Sequence, residues 1–365
     1  MPAFDPLTYR YASRRNVVYA KNAVACTSVP LGAQIGLDVM KSGGNAVDAA
    51  VAMAAAMPLL EPTGNGLGSD CFALVWIERD KRLYGLNASG VAPMVLSAEK
   101  VRAMGYTEMP KAGWLPTMVP GAPAGWAELN RRFGTKPLAE LFAPAISYAE
   151  EGYPVPVNIA RQWERDSRRI AKAMAENAAP HEYWWQSFMK PDGTPYRAGE
   201  LFRLPDYAAT LRSLAATDCE SYYRGANFSL DPASDNCLAG GKRSYHTIIP
   251  GFLLRDGAAV GPFGVMGAFM QPQGQTEVLV NTLDYHMIPQ GPLDAPRIPW
   301  IGGRRLELER EAGEAIADEL RAMGHEVTVV DDRISMGRGQ IIWRGEDGVY
   351  TAGTEPRCDG AVAAW

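Results

Sequence analysis

The sequence lacks the residue patterns that several large protein classes require. Its 365 residues include only four histidines and five cysteines, with no C-x-x-C or H-x-x-x-H pair, so the common short motifs of zinc and thioredoxin-type sites are absent. It has neither a G-x-x-x-x-G-K-[ST] phosphate loop nor a G-x-S-x-G nucleophile elbow. We therefore expect no metal and no cofactor.

The chain also lacks an excess of positive charge and a long apolar run. Its net charge of −5 argues against nucleic acid or an anionic membrane as partner and favours a small molecule. The most apolar stretch, Ala46 to Leu60, contains Asp48 and Pro58 and is shorter than the ~20 residues that span a bilayer. Lys21 follows the Arg14-Arg15 pair too closely for an export signal. The sequence therefore predicts the cytoplasm in preference to the periplasm.

The cysteines are widely spaced and odd in number. This pattern indicates free thiols in a reducing compartment, with a Cys219 to Cys237 bridge as the alternative.

The residues that are present predict alternating helices and hairpins. Asn45 is placed to cap a helix from Ala46 to about Met57, which Pro58 should stop. The continuous apolar run Cys71 to Ile77 predicts a buried strand that pairs with a second strand around Leu83 to Leu86. The segment from 104 to 214 reads as mostly helical.

The second half of the chain carries the strongest hairpin signal, Asp256-Gly257, between Ile248 to Leu254 and Ala258 to Met266. The further predicted elements are a helix over Gln273 to Met287, a helix over Arg310 to Met323 closed by Gly324, a strand over Glu326 to Val330, and a final strand pair, Gln340 to Arg344 and Val349 to Ala352. Hairpins with helices segregated between them favour a layered α+β sandwich.

A glycine loop from Gly64 to Gly68 invites comparison with dinucleotide-binding motifs. Those motifs follow a strand and open a helix, so that the pyrophosphate lies at the helix N-terminus. Here the predicted order is helix, loop, strand, and the spacing is G-x-G-x-G. The loop therefore does not predict a nucleotide site.

Several longer motifs carry a family resemblance. Ser42 to Ala50 reads S-G-G-N-A-V-D-A-A, Val119 to Trp126 reads V-P-G-A-P-A-G-W, and Glu355 to Ala361 reads E-P-R-C-D-G-A. In this order they resemble the γ-glutamyltransferases, also called glutathione hydrolases, which are N-terminal-nucleophile hydrolases. The resemblance implies a four-layer αββα sandwich and transfer of a γ-glutamyl group from glutathione-like amides to water or an amino acid.

The two blocks of resemblance meet at a junction. Residues 1–225 resemble the N-terminal part of the family's large subunit and residues 226–365 the C-terminal part of its small subunit, and we expect them to form one composite domain. Family precursors cut themselves before a threonine that becomes the nucleophile. The segment carrying that threonine is absent at the junction, so no catalytic residue can be assigned and central strands of the sandwich should be missing.

The resemblance implies candidate binding residues at five positions. Gly267 and Ala268 match the Gly-Gly pair whose backbone amides form the oxyanion hole, and both donors survive if Ala268 does not need a positive φ. Ser89 stands where the family places an arginine that grips the substrate α-carboxylate, whereas His246 and Thr247 stand where two serines hold it. A purely structural role for His246 is the alternative.

These expectations combine into a γ-glutamyltransferase-family protein that lacks its nucleophile and is inactive. The alternatives are a noncatalytic remnant that binds a small anion or a partner chain, and an incomplete sequence of an active enzyme. The expected ligand is a γ-glutamyl compound or another small anion. Missing central strands would leave open apolar edges, and a homo-oligomer would close them.

Overall fold

The structure, a computed structural model, describes residues 10–12, 15–93, 96–108, 115–175, 182–224 and 248–365. The described strands are β1 (Val18–Ala20), β2 (Val24–Thr27), β3 (Cys71–Ile77), β4 (Arg82–Ala88), β5 (Tyr153–Pro154), β6 (Leu201–Phe202), β7 (Gly251–Arg255), β8 (Ala258–Met266), β9 (Trp300–Gly302), β10 (Arg305–Glu309), β11 (Glu326–Val330), β12 (Arg338–Arg344), β13 (Tyr350–Thr354) and β14 (Ala361–Ala364).

The described α-helices are α1 (Pro30–Lys41), α2 (Ala46–Leu60), α3 (Ala98–Ala103), α4 (Ala122–Phe133), α5 (Leu138–Glu151), α6 (Val157–Ala175), α7 (Glu182–Phe188), α8 (Pro205–Ala216), α9 (Ser221–Arg224), α10 (Gln271–Leu283), α11 (Gly291–Asp294) and α12 (Glu314–Ala322). Mixed helices and sheets of this kind confirm the predicted α+β class. The chain divides into two compact units, one formed by residues 1–37, 74–85 and 247–365 and the other by residues 38–73 and 86–246.

The first unit is organised by a five-stranded sheet in the order β1-β13-β12-β8-β7. Its neighbouring strands run antiparallel. The loop between β7 and β8 consists of Asp256 and Gly257, both with positive φ (51° and 76°), as the tight hairpin turn predicted from the sequence requires. The predicted final strand pair is also confirmed, as β12 and β13.

One face of this sheet packs against helices. The core joins β8 and β12 to the 3₁₀ turn Ala268–Met270, α10 and α11, through Val260, Phe263, Val265, Met270, Val278, Leu293, Ile341 and Trp343. Because side chains alternate along a strand, Ile341 and Trp343 face these helices, and Gln340 and Ile342 point to the other face.

The second unit is mainly helical and is built on α2. Asn45 caps α2 in a capping box with Asp48. The hydroxyls of Tyr153 and Tyr207 donate to the carbonyls of Leu59 (2.8 Å) and Ala55 (2.6 Å) near its C-terminal end. These bonds satisfy two phenols that would otherwise be buried without partners.

Three sequence predictions need correction. Helix α2 continues through Pro58 to Leu60, because a proline one turn from a helix end removes only one backbone hydrogen bond. The predicted helix over Arg310 to Met323 is broken at Gly313 (φ 88°) into the 3₁₀ turn Arg310–Ala312 and α12. Strand β3 forms as predicted, but each of its residues is only partly buried.

Candidate functional site

The turn that follows β8 holds the two predicted oxyanion residues. Gly267 is extended, with φ 165°, and opens the 3₁₀ turn Ala268–Met270. Ala268 has φ 52°, in the left-handed region that side chains with a Cβ adopt only under strain. The condition set from the sequence, that Ala268 would not need a positive φ, is therefore not met. Ala268 nevertheless adopts this conformation under strain, so its backbone N–H is kept in the turn.

Close packing leaves the turn little freedom. The Met270 amide donates to the Gly267 carbonyl (3.2 Å). A Cβ at Gly267 would lie 2.7 Å from the Met270 sulfur and 3.1 Å from the Cα of Gly337. A side chain at Gly267 would therefore force Met270 to move. The Ala268 amide donates to no turn or loop carbonyl in the described part of the chain. The Ala268 N–H is therefore a candidate donor to a ligand oxyanion.

The segment leading into β7 is anchored beside this turn. The Ile249 amide donates to Gln271 Oε1 (3.3 Å), and Gln275 Nε2 donates to the Ile249 carbonyl. Both glutamines lie on the first turns of α10. The predicted substrate residues His246 and Thr247 precede this anchor but lie outside the described residues.

Ser89 lies at the end of β4 and is 5% exposed. Its amide donates to Asn87 Oδ1 (2.9 Å), and the next amide, of Gly90, donates to Asp70 Oδ1 (2.5 Å). A cavity of about 310 Å³ adjoins these residues and is also lined by Val119 to Gly121, Gly125, Glu128 and Tyr223. A buried hydroxyl beside a cavity can contact a polar ligand, but it cannot replace a guanidinium as the partner of a carboxylate.

Two glycines bring the walls of this cavity together. A Cβ at Gly90 would lie 1.9 Å from the Val119 carbonyl, and one at Gly121 would lie 1.9 Å from the Ala88 carbonyl. The Val-Pro-Gly motif seen in the sequence is therefore explained by close backbone contact with the end of β4.

Tyr223, which also lines the cavity, was given no role from the sequence. Its hydroxyl donates to the Pro120 carbonyl (3.0 Å) and accepts from the Ala124 amide (3.1 Å) at the start of α4. Burial raises the pKa of Tyr223 to about 12, so the phenol stays neutral at physiological pH.

Glycine precedes threonine at three places in the chain, Gly134-Thr135, Gly193-Thr194 and Gly353-Thr354. Thr135 donates its hydroxyl to Asp48 Oδ2 (2.5 Å), and Thr194 donates its hydroxyl to Asp192 Oδ1 (2.6 Å) in an exposed turn. Thr354 lies inside the sheet opposite Gln340, and its amide donates to Gln290 Oε1 (3.2 Å). Each of the three threonines is therefore part of the local structure: Thr135 binds the capping-box residue Asp48, Thr194 stabilises a turn, and Thr354 lies in a strand.

Among the residues that the structure describes, cysteines and metal-ligand side chains form no competing catalytic centre. Burial raises the pKa of Cys71 to about 11 and that of Cys219 to about 12, so neither thiol ionises readily. Cys219 is a free thiol, and its alternative partner Cys237 lies outside the described residues. Within the described ranges no three His, Cys, Asp or Glu residues are grouped so that they could hold a metal ion.

A sequence model of the gamma-glutamyltranspeptidase family matches the chain in two stretches, residues 32–227 and 226–365. The chain belongs to the gamma-glutamyltranspeptidase family. The two stretches meet at the junction inferred from the motifs, although the residues around it lie outside those that the structure describes.

Named family members differ in what they act on. The chain is 27% identical to a glutathione hydrolase proenzyme of Bacillus subtilis, over 59% of this chain and 36% of that protein. It is 33% identical to an oxamate amidohydrolase proenzyme of Klebsiella pneumoniae, over 53% of this chain and 36% of that protein. The chain therefore spans about a third of the length of the curated relatives it matches.

Solved structures confirm the fold. A cephalosporin acylase from Bacillus halodurans matches with a TM-score of 0.88 and 36% identity, over 99% of this chain and 99% of that one. A Helicobacter pylori gamma-glutamyltranspeptidase matches over 56% of this chain and 57% of that one, with a TM-score of 0.52 and 29% identity. None of the described helices combines the length and apolar character needed to cross a lipid bilayer.

Proposed function

We propose that this chain is a gamma-glutamyltranspeptidase-family protein that binds a small acyl-amide compound without hydrolysing it. The observation that carries this proposal is the placement of the three Gly-Thr steps. Self-cleavage in the family frees the amine of a threonine, which then serves as the base for its own hydroxyl. A threonine whose peptide bond lies in a cap, an exposed turn or a sheet is not placed for that reaction.

The binding half of the proposal is supported by the turn at Gly267 and Ala268 and by the Ser89 cavity. The Ala268 backbone is strained, and its amide donates no hydrogen bond to a described turn or loop carbonyl. Ser89 and the Gly90 backbone adjoin a cavity of about 310 Å³, a size typical of small-ligand sites. The proposed ligand is a γ-glutamyl or related amide, since both named relatives carry amide-cleaving names.

Hydrolysis of a chromogenic γ-glutamyl anilide tests the absence of turnover. We expect a rate at the background of heat-inactivated protein, because an oxyanion turn alone leaves only trace catalysis after loss of the nucleophile. The Bacillus subtilis glutathione hydrolase serves as the positive control in the same assay. Saturable turnover on the order of 1 per second or faster would contradict the proposal.

The main alternative is a longer enzyme whose nucleophile segment is missing from this sequence, and a second experiment separates it from the proposal. Sequencing the transcript across residues 224–227 shows whether further codons lie between the two blocks. If such codons are present, the longer chain should cleave itself and turn over the anilide, and the inactivity proposed here belongs only to the shorter form. If the codons are contiguous, the anilide result applies to the protein as it is made.

A further inference from the structure

A buried network of charges lies behind the Gly267–Ala268 turn. Arg357 uses all five of its donors there: Nε reaches Glu309 Oε1 (2.7 Å), Nη1 reaches Glu355 Oε1 (2.6 Å) and the Leu293 carbonyl (2.7 Å), and Nη2 reaches Glu309 Oε2 and the Ala295 carbonyl (2.9 Å). Burial opposes its charge, but the two carboxylates hold the pKa of Arg357 above its ordinary value. All hydrogen-bond donors of the Arg357 guanidinium are therefore satisfied, and the residue has a structural role.

Arg297 lies in the same network but is not satisfied in this way. It is completely buried, and its backbone amide donates to Glu309 Oε2 (2.9 Å). Of its guanidinium nitrogens only Nη1 donates hydrogen bonds among the described residues, to the Gly274 carbonyl (3.2 Å) and Glu277 Oε2 (3.4 Å). Nη2 lies 3.5 Å from Glu355 Oε2, yet neither Nη2 nor Nε has a hydrogen-bond partner among the described residues. Such an arrangement is a poor source of stability, because a buried charge with unmet donors is costly.

What Arg297 does achieve is a link between the two flanks of the turn. On the helix side, it holds Gly274 in the first turns of α10; a Cβ at Gly274 would lie 3.1 Å from Arg297 Nη1, from Met270 Cε and from Val265 Cγ1. A larger residue at this position would therefore push the arginine, Met270 or Val265 out of its present place.

On the strand side, the link passes through Glu355. Its Oε2 accepts the Gly339 amide (2.9 Å), and Gly339 pairs with Val265 in the strand that enters the turn. The Arg297–Glu355 pair thus joins the strand that enters the turn to the helix that leaves it. A turn clamped at both ends can keep Ala268 at φ 52° against its own preference.

We propose that Arg297 is a positioning residue that holds the Gly267–Ala268 turn in its strained, amide-presenting conformation. This inference rests on the proposed function only in treating that turn as the oxyanion-binding element. Arg297 acts on the geometry of the backbone, and this action needs no nucleophile. The test of the inference therefore measures backbone strain, and a negative result can be distinguished from any result of the anilide assay.

A double-mutant cycle between Arg297 and Ala268 provides the test. In the otherwise unchanged protein, Ala268→Gly should lower the unfolding equilibrium constant roughly fivefold in urea titrations, because glycine adopts the left-handed region without strain. In the Arg297→Met background the turn should relax, and the same substitution should then give no such gain. This non-additivity is the expected result.

Two further variants keep the test decisive. If Arg297→Met does not fold, Glu277→Gln weakens the same clamp at a side chain that is 29% exposed, and the cycle is repeated in that background. Arg212→Met removes an exposed ion pair with Glu150 elsewhere in the chain, and its cycle with Ala268→Gly should be additive. If Ala268→Gly stabilises the protein equally with and without Arg297, the proposal is overturned, since Arg297 would then have no effect on the strain of the turn.

Discussion

Replacing Arg357 with methionine should destabilise the protein by about 3–5 kcal/mol, because it leaves two buried carboxylates without their partner. Both Glu309 and Glu355 are at most 1% exposed and accept from the Arg357 guanidinium. Folded domains are stable by only about 5–15 kcal/mol. We therefore expect a large fall in the urea midpoint, with loss of folding at the upper end of the range.

A matched control separates the effect of burying the Arg357 ion pairs from the effect of their geometry. Arg310 makes a similar two-pronged contact with Asp331, through Nε to Oδ1 and Nη2 to Oδ2 (3.0 Å), but both side chains are more than half exposed. Exposed pairs add little to stability, so Arg310→Met should leave the urea midpoint nearly unchanged. Equal effects of the two substitutions would contradict the account of the buried network.

Replacing Asp48 with asparagine should cost about 2–3 kcal/mol, as expected for buried hydrogen bonds to a charged group. The Asp48 carboxylate is fully buried and accepts from the amides of Asn45 (2.9 Å), Thr135 (2.9 Å) and Lys136 (3.3 Å), and from the Thr135 hydroxyl (2.5 Å). An asparagine amide would turn a donor toward these donors. Asp192→Asn, in an exposed turn with similar bonds from Thr194, is the control and should have little effect.

The effect of Asp48→Asn should also depend on pH. Burial tends to raise the pKa of Asp48, but its hydrogen bonds from Thr135, Asn45 and Lys136 hold it below the ordinary value. The carboxylate's contribution is thus fully present above the unfolded pKa and is lost as pH falls through the lower folded pKa. The difference in unfolding free energy between the two proteins should shrink below about pH 4. A difference that stays constant down to pH 2 would contradict this assignment.

Local signals in the sequence predicted much of the fold. Asp256-Gly257 predicted its hairpin because few other dipeptides accept two positive φ angles, and Asn45 predicted the start of α2 because its side chain bonds to nearby amides. The break at Gly313 was missed, since the apolar spacing continues on both sides of it. The hairpin and the helix start each depend on a few neighbouring residues, which is why the sequence could reveal them.

The site was less predictable, because it depends on residues far apart in the chain. Glu355 was visible as part of the Glu-Pro-Arg-Cys-Asp-Gly-Ala motif, but nothing in the sequence showed that it meets Arg297 near the Gly267–Ala268 turn. The positive φ of Ala268 was also hidden, because alanine ordinarily signals the opposite. The resemblance identified the turn, and only the packing around it shows what keeps it in place.

The molecular mass of the purified chain tests the central claim most directly. Thr135, Thr194 and Thr354 are held by hydrogen bonds in a helix cap, an exposed turn and a sheet. We therefore expect denaturing mass spectrometry to show a single chain of 39.6 kDa after prolonged incubation at neutral pH. Each Thr→Ala variant should give the same pattern, shifted only by its own substitution. Two stable fragments that sum to the full mass, with a new N-terminal threonine that its alanine variant abolishes, would contradict the account.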